Sequence, residues 1–185
     1  MSDRVEEGLA IPAWHAVRRQ GSVGAGIQAG LLGGFAMLAL LALCAGATGL
    51  GWLHPIGAMG ATIGTSGTGA VVAGTALHLA VSGVLGIPLA AVLPDDFPPG
   101  SAAVVGAAYG ILVAAVMTSL VVPAVSPGFR TAIQPAGGSW TLGHVVFGAT
   151  LAVALALRRR ASLRAAERPG AGAGMAQSTP SDRTP

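Results

Sequence analysis

Residues 23–45 read VGAGIQAGLLGGFAMLALLALCA, a run with no charged residue and one amide, Gln28. At about 1.5 Å of rise per residue, a helix of this length crosses a hydrocarbon layer of about 30 Å. Three more stretches have the same character, at residues 69–93, 101–123 and 138–157, and none of them holds a charged side chain. The pattern predicts an all-α, polytopic membrane protein built as a four-transmembrane-helix bundle.

Composition points the same way. Of 185 residues, 52% are hydrophobic and 9% are charged, where a soluble domain carries about 25% charged residues. Mean hydropathy is +0.70. The segments outside the apolar stretches leave no room for a separate water-soluble catalytic unit. We expect a cytoplasmic N-terminal segment over 1–22, a transmembrane domain over 23–157, and a basic collar with a disordered cytoplasmic tail over 158–185. The single cysteine, Cys44, excludes an intrachain disulfide. The apolar run of 23–45 exceeds a signal-peptide core, and acids precede it, so a retained anchor is expected.

Orientation follows from arginine. All ten basic residues are arginines: Arg4, Arg18 and Arg19 precede the first stretch, Arg158, Arg159, Arg160, Arg164, Arg168 and Arg183 follow the fourth, and only Arg130 lies between stretches. Basic flanks stay on the cytoplasmic side. Both termini are therefore expected in the cytoplasm of a multi-pass inner (plasma) membrane protein, which an even number of spans requires. Trp14, Trp52 and Trp140 each fall where a predicted span meets water, as interfacial rings do. The net charge of +3 sits on the flanks with no interleaved aromatics, which argues against nucleic acid as a partner. The bilayer is the partner expected, with a homo-oligomer or a larger membrane complex as further assemblies.

The joints differ. Pro94-Asp95-Asp96-Phe97-Pro98-Pro99-Gly100 is a compact turn whose two aspartates are read as solvated, not as a metal site. Residues 46–68 are rich in Gly and Thr and include Trp52-Leu53-His54-Pro55. Their apolar part, Pro55 to Gly64, is expected either to lie flat at the interface or to dip inward as a re-entrant piece. Pro88 is expected to bend the second span and Pro123 to end the third.

Small residues recur at four-residue spacing. Gly26, Gly30 and Gly34 form a ridge on the first span, and Gly106 and Gly110 form one on the third. Glycine faces let helix backbones approach within lipid, so these five are the expected helix-packing positions. A duplication is also visible. The first and third spans carry Gly30/Gly34 and Gly106/Gly110, while the second and fourth carry His78/Ser82 and His144/Gly148. The arrangement reads as two hairpins related by an axis along the membrane normal.

His78 and His144 are the candidate site residues. Imidazole inside a span is costly unless paired, so it turns toward the bundle interior. The bland role is structural, each ring bonding a neighbouring helix. The alternative is a cofactor site in which the two rings ligate a haem iron or a transition metal or relay protons. Tyr109 is expected to join from below and His54 to cap from above. No phosphate loop, Ser/His/Asp set, H-E-x-x-H or C-x-x-C is present.

The residues 30–37 (GLLGGFAM), 51–55 (GWLHP), 77–79 (LHL) and 142–144 (LGH) together resemble a class of small bacterial four-helix integral membrane proteins. The resemblance covers about residues 24–157. It implies the four-span fold and brings no activity with it. The leading expectation is a non-enzymatic membrane protein acting as an accessory or scaffold subunit. A haem- or metal-binding redox subunit using His78 and His144, and an oligomeric channel or transporter, are the alternatives.

Overall fold

The computed structural model describes residues 13–125, 129 and 137–166, with side chains from Ser22 onward. Arg4, Arg130, Arg168, Arg183, the joint around Gln134 and the tail from about 169 lie outside the described residues, as do the side chains of Trp14, Arg18 and Arg19. All described elements are helical: α1 (Ala13–Ala47), a short α2 (His54–Ala61), α3 (Gly67–Val92), α4 (Pro99–Val116) and α5 (Gly137–Ala166). Four segments are long and apolar enough to cross a membrane: Ser22–Ala47, Gly67–Val92, Pro99–Val125 and Gly138–Ala165.

The helices outrun the apolar stretches at several ends. α5 continues through Arg158, Arg159, Arg160 and Arg164, because Arg, Ala and Leu are strong helix formers and no breaker intervenes. At the other end of the third span, Pro123 does not stop the chain. α4 passes through one π-helical turn, Met117–Val121, into a last turn of α-helix, Val122–Val125. Pro123 has no N–H for the carbonyl one turn back. The widened turn accommodates this, with the Val122 N–H donating to the Met117 carbonyl. Likewise α3 runs through Pro88 to Val92 without a break in the helix.

Glycine contacts fix the order of the bundle. A Cβ at Gly26 would stand 2.8 Å from the Gly86 carbonyl oxygen, and one at Gly30 would strike the Ser82 carbonyl, so α1 and α3 lie backbone to backbone. Gly106 and Gly148 meet in the same way, and Gly110 meets the backbone of His144, joining α4 to α5. Gly33 faces Phe147, and Gly143 faces Met37 and Leu41, joining α1 to α5. The lateral order is therefore α3, α1, α5, α4. Phe147, Leu151 and Leu155 are sealed in the α5 face of the core.

These contacts match the expected duplication in register. One shift along the chain carries Gly30 and Gly34 onto Gly106 and Gly110. A second carries His78, Ser82, Leu85, Leu89 and Ala90 onto His144, Gly148, Leu151, Leu155 and Ala156. Applying both to the contact of Gly34 with His78 gives Gly110 with His144, and applying them to Gly30 with Ser82 gives Gly106 with Gly148. Both contacts are present. The α1–α3 and α4–α5 hairpins are thus paired in the same way.

The pseudo-symmetry breaks at one face. α1 and α5 pack closely because Gly33 and Gly143 carry no side chain there. The corresponding positions on α4 and α3 are Tyr109 and Leu77, whose bulk forbids the same approach. A cleft opens between α3 and α4, bridged where the Tyr109 hydroxyl donates to the Leu85 carbonyl at 2.6 Å.

α2 lies beside α3, not across the end of the bundle. Gly60 meets the backbone of Ala70, and Gly74 meets that of Ile56 and Gly60. A four-residue step along α2 is matched by a four-residue step back along α3, so the two run antiparallel in contact over the first turns of α3. At the opposite end of the bundle, Arg159 donates to the carbonyls of Ala90, at 2.5 Å, and of Leu93, and pairs with Asp95 at 3.3 Å. The turn of 94–100 carries no cation of its own and receives one from α5. Arg158 donates to Gln28 on α1.

Candidate functional site

The cleft between α3 and α4 holds a half-open cavity of about 260 Å³, lined among others by Met37 of α1, Phe147 of α5, Val81 and Val113. Its lining is almost entirely apolar. The exceptions include His78 and Ser82 from α3 and His144 from α5, all three buried. No carboxylate lines it. Small-molecule sites have this make-up, an apolar wall with a few placed polar groups.

Each histidine is fixed by one hydrogen bond to a backbone carbonyl. His78 Nε2–H donates to Gly34 across the α1–α3 contact at 3.2 Å. His144 Nδ1–H donates to Trp140 one turn earlier on α5 at 2.9 Å. A carbonyl only accepts, so the bonded nitrogen carries the proton, and in the neutral ring the other nitrogen is a lone-pair acceptor. Those second nitrogens, Nδ1 of His78 and Nε2 of His144, make no hydrogen bond to the described residues. Neither is sealed away, since among the described residues no buried side-chain polar atom lacks a partner. Each therefore keeps some accessible surface, and both rings line the cavity.

The two rings stand at nearly one level. His78 bonds the carbonyl of Gly34. His144 lies less than one turn from Phe147, which faces Gly33. They are within about one helical turn of each other along the bundle axis.

The neighbours differ from the sequence expectation. Trp140 is not an exposed interfacial ring; it is buried, edge to face with His144 at a centroid distance of 4.7 Å and with Phe129 at 5.9 Å, and its indole N–H donates to Thr118 at 3.3 Å. Trp52 does remain largely exposed, lying over Gly46. His54 is exposed and is not among the residues lining the cavity; Met59 of α2 and Thr62, just past its end, reach the cavity. Tyr109 is spent on the Leu85 carbonyl and presents nothing to the histidines. Thr75 bonds Val71 within its own helix. Sequence reasoning overlooked Met117, Val121 and Phe129 as parts of the wall. The signal available was Pro123, which follows the π-helical turn that holds Met117 and Val121; such turns gather at functional sites.

The arrangement limits the chemistry. No group of three or more His, Cys, Asp or Glu side chains converges among the described residues. Haem held between two imidazoles needs an unencumbered ring nitrogen on each side of the iron. His144 offers Nε2, but His78 offers Nδ1, which lies next to its own Cβ and would press that carbon toward the porphyrin plane. The geometry fits hydrogen-bond acceptance better than axial ligation. Comparison with protein-family models, characterised proteins and solved structures finds no match to this chain.

Proposed function

We propose that this chain is a non-enzymatic integral membrane protein that binds a small amphiphile in the cleft between α3 and α4, as an accessory subunit of a bacterial inner membrane. Four helices cross the bilayer with both ends in the cytoplasm. Support comes from the outer surface, where Leu32, Phe35, Val72, Val104, Leu112 and Leu120 are all more than half exposed, while the polar side chains of His78, Ser82 and His144 are buried within. Lipid is the solvent in which such a surface costs nothing. Orientation rests on the arginines flanking the spans. α2, antiparallel to the outer turns of α3, is then a re-entrant piece whose backbone is covered by protein on one side.

The observation that carries the binding reading is the cavity: apolar, bounded by four helices and α2, and lined by two imidazoles that each keep one nitrogen without a hydrogen bond among the described residues. Titration of the detergent-solubilised protein with 4-hexylphenol, followed by thermal unfolding, tests it. Saturable stabilisation at one site per chain is expected. It should vanish in Val81→Phe, which gives α3 the ring that α5 carries at Phe147. Stabilisation that rises without saturation and ignores the substitution is partition into the micelle and contradicts the reading.

A further inference from the structure

We infer that the cavity selects ligands bearing a hydrogen-bond donor, a phenol or alcohol head on an apolar body, over the same body ending in an acceptor alone. The inference rests on the binding reading above and adds the chemistry of the head group.

It follows from counting what the polar atoms of the wall have left to give. The Trp140 indole N–H goes to Thr118. The Thr62 hydroxyl goes to the Met59 carbonyl at 2.6 Å. The N–H of each histidine goes to a backbone carbonyl. What remains among the described residues is the lone pair on His78 Nδ1, the lone pair on His144 Nε2, and the Ser82 hydroxyl, which lies beside Gly34 of α1, makes no hydrogen bond to the described residues and both donates and accepts. Among the described residues of the wall, acceptors therefore outnumber donors. A ketone, ether or ester finds one partner, Ser82, and leaves both imidazole lone pairs against an apolar wall. A carboxylate brings more lone pairs to a place already rich in them. A hydroxyl gives its proton to a ring nitrogen and accepts from Ser82, so the head is satisfied on both counts. Leaving a buried acceptor unpaired is the costly side of the comparison, and sites built to bond a hydroxyl discriminate strongly against analogues that lack it.

The pseudo-symmetry sharpens the assignment. Ser82 on α3 corresponds to Gly148 on α5. The only hydroxyl at this pair of positions stands on the helix that borders the cleft, one turn from His78. The polar end of the ligand belongs at the level of the two histidines, with its apolar body toward Val113 and Val121.

The test compares 4-hexylphenol with its methyl ether, 4-hexylanisole, on the intact protein in the same detergent. The two differ in one proton and one methyl group. The phenol is expected to bind saturably and about tenfold tighter than the ether, the size of one well-made hydrogen bond. In His144→Phe the advantage of the phenol should shrink severalfold while the ether still binds, which shows that the cavity itself survives. Equal saturable affinity for both probes in the wild-type protein overturns the donor preference and leaves the binding reading standing. No saturable binding of either overturns both. Because the primary comparison uses the wild-type chain, its outcome does not depend on a variant folding.

Discussion

His144 and Trp140 hold each other twice: the imidazole Nδ1–H donates to the Trp140 carbonyl at 2.9 Å, and the two rings meet edge to face at 4.7 Å. The pair sits one turn apart on α5 and forms one side of the cavity. A hydrogen bond sets which imidazole nitrogen faces inward, and a ring contact sets its tilt.

That coupling gives the first prediction. Trp140→Phe keeps a ring against His144 but loses the bond to Thr118, at a cost of about 1 kcal/mol. Trp140→Leu also loses the aromatic contact and is expected to cost roughly 1 kcal/mol more. Thr118→Val should resemble Trp140→Phe. Unfolding in detergent, followed by far-ultraviolet circular dichroism, gives the order of the three; a Leu variant as stable as the Phe variant would remove the ring contact from the account.

The close helix contacts make a second, steric prediction. A Cβ at Gly110 would meet the His144 carbonyl, and one at Gly148 would meet that of Gly106. Either Gly→Ala change must push α4 from α5, and a loss of about 1–3 kcal/mol is expected, as for overpacking. Gly24→Ala, with nothing near its Cβ, should be neutral or slightly stabilising, since alanine is the better helix former. Equal effects at all three sites would deny that the glycine face is a contact.

Arg159 gives a third. Its guanidinium bonds the Ala90 and Leu93 carbonyls, which the end of α3 leaves without intrahelical partners. Arg159→Gln is expected to cost about 1–3 kcal/mol, because buried acceptors lose a charged donor. Asp95→Asn should cost less than about 1 kcal/mol, because the carboxylate is more than half exposed. Thermal unfolding of the two variants distinguishes a cap from an ion pair: if Asp95→Asn matched Arg159→Gln, the salt bridge would carry the effect.

Topology gives a fourth. Reporters fused at the two ends should both show cytoplasmic activity in cells, and a single cysteine introduced at Ser66 should react with a membrane-impermeant maleimide from the outside. Ends on opposite sides, or a silent Ser66 site, would break the four-span arrangement.

Much of this was legible in the chain. Apolar length located the four long helices, because a run of about 20 apolar residues matches a spanning helix and is about twice the length of a spanning strand. The glycine spacing and the pairs His78/Ser82 and His144/Gly148 carried the hairpin register. The cleft was not legible. It depends on Tyr109 and Leu77 standing where the other face has Gly33 and Gly143, a comparison that has meaning only once the helix pairing is known. Trp140 stands at the start of its long helix, where the sequence puts it, but its burial was not legible, because an indole serves equally at a water boundary or in a buried hydrogen bond, and its partner Thr118 lies on another helix. α2 was visible as an apolar piece, but its direction depends on Gly60 and Gly74, which say nothing until they face Ala70 and Ile56.

Occupation of the cleft is measured most directly through Trp140, which lines it. In a Trp14→Phe, Trp52→Phe background Trp140 is the sole indole, and a ring-brominated 4-hexylphenol quenches an indole it touches. The account requires quenching that saturates at one ligand per chain, is relieved by excess unbrominated 4-hexylphenol, and is lost in Val81→Phe. Quenching that grows linearly with ligand, resists competition and persists in Val81→Phe would mean that nothing enters between α3 and α4.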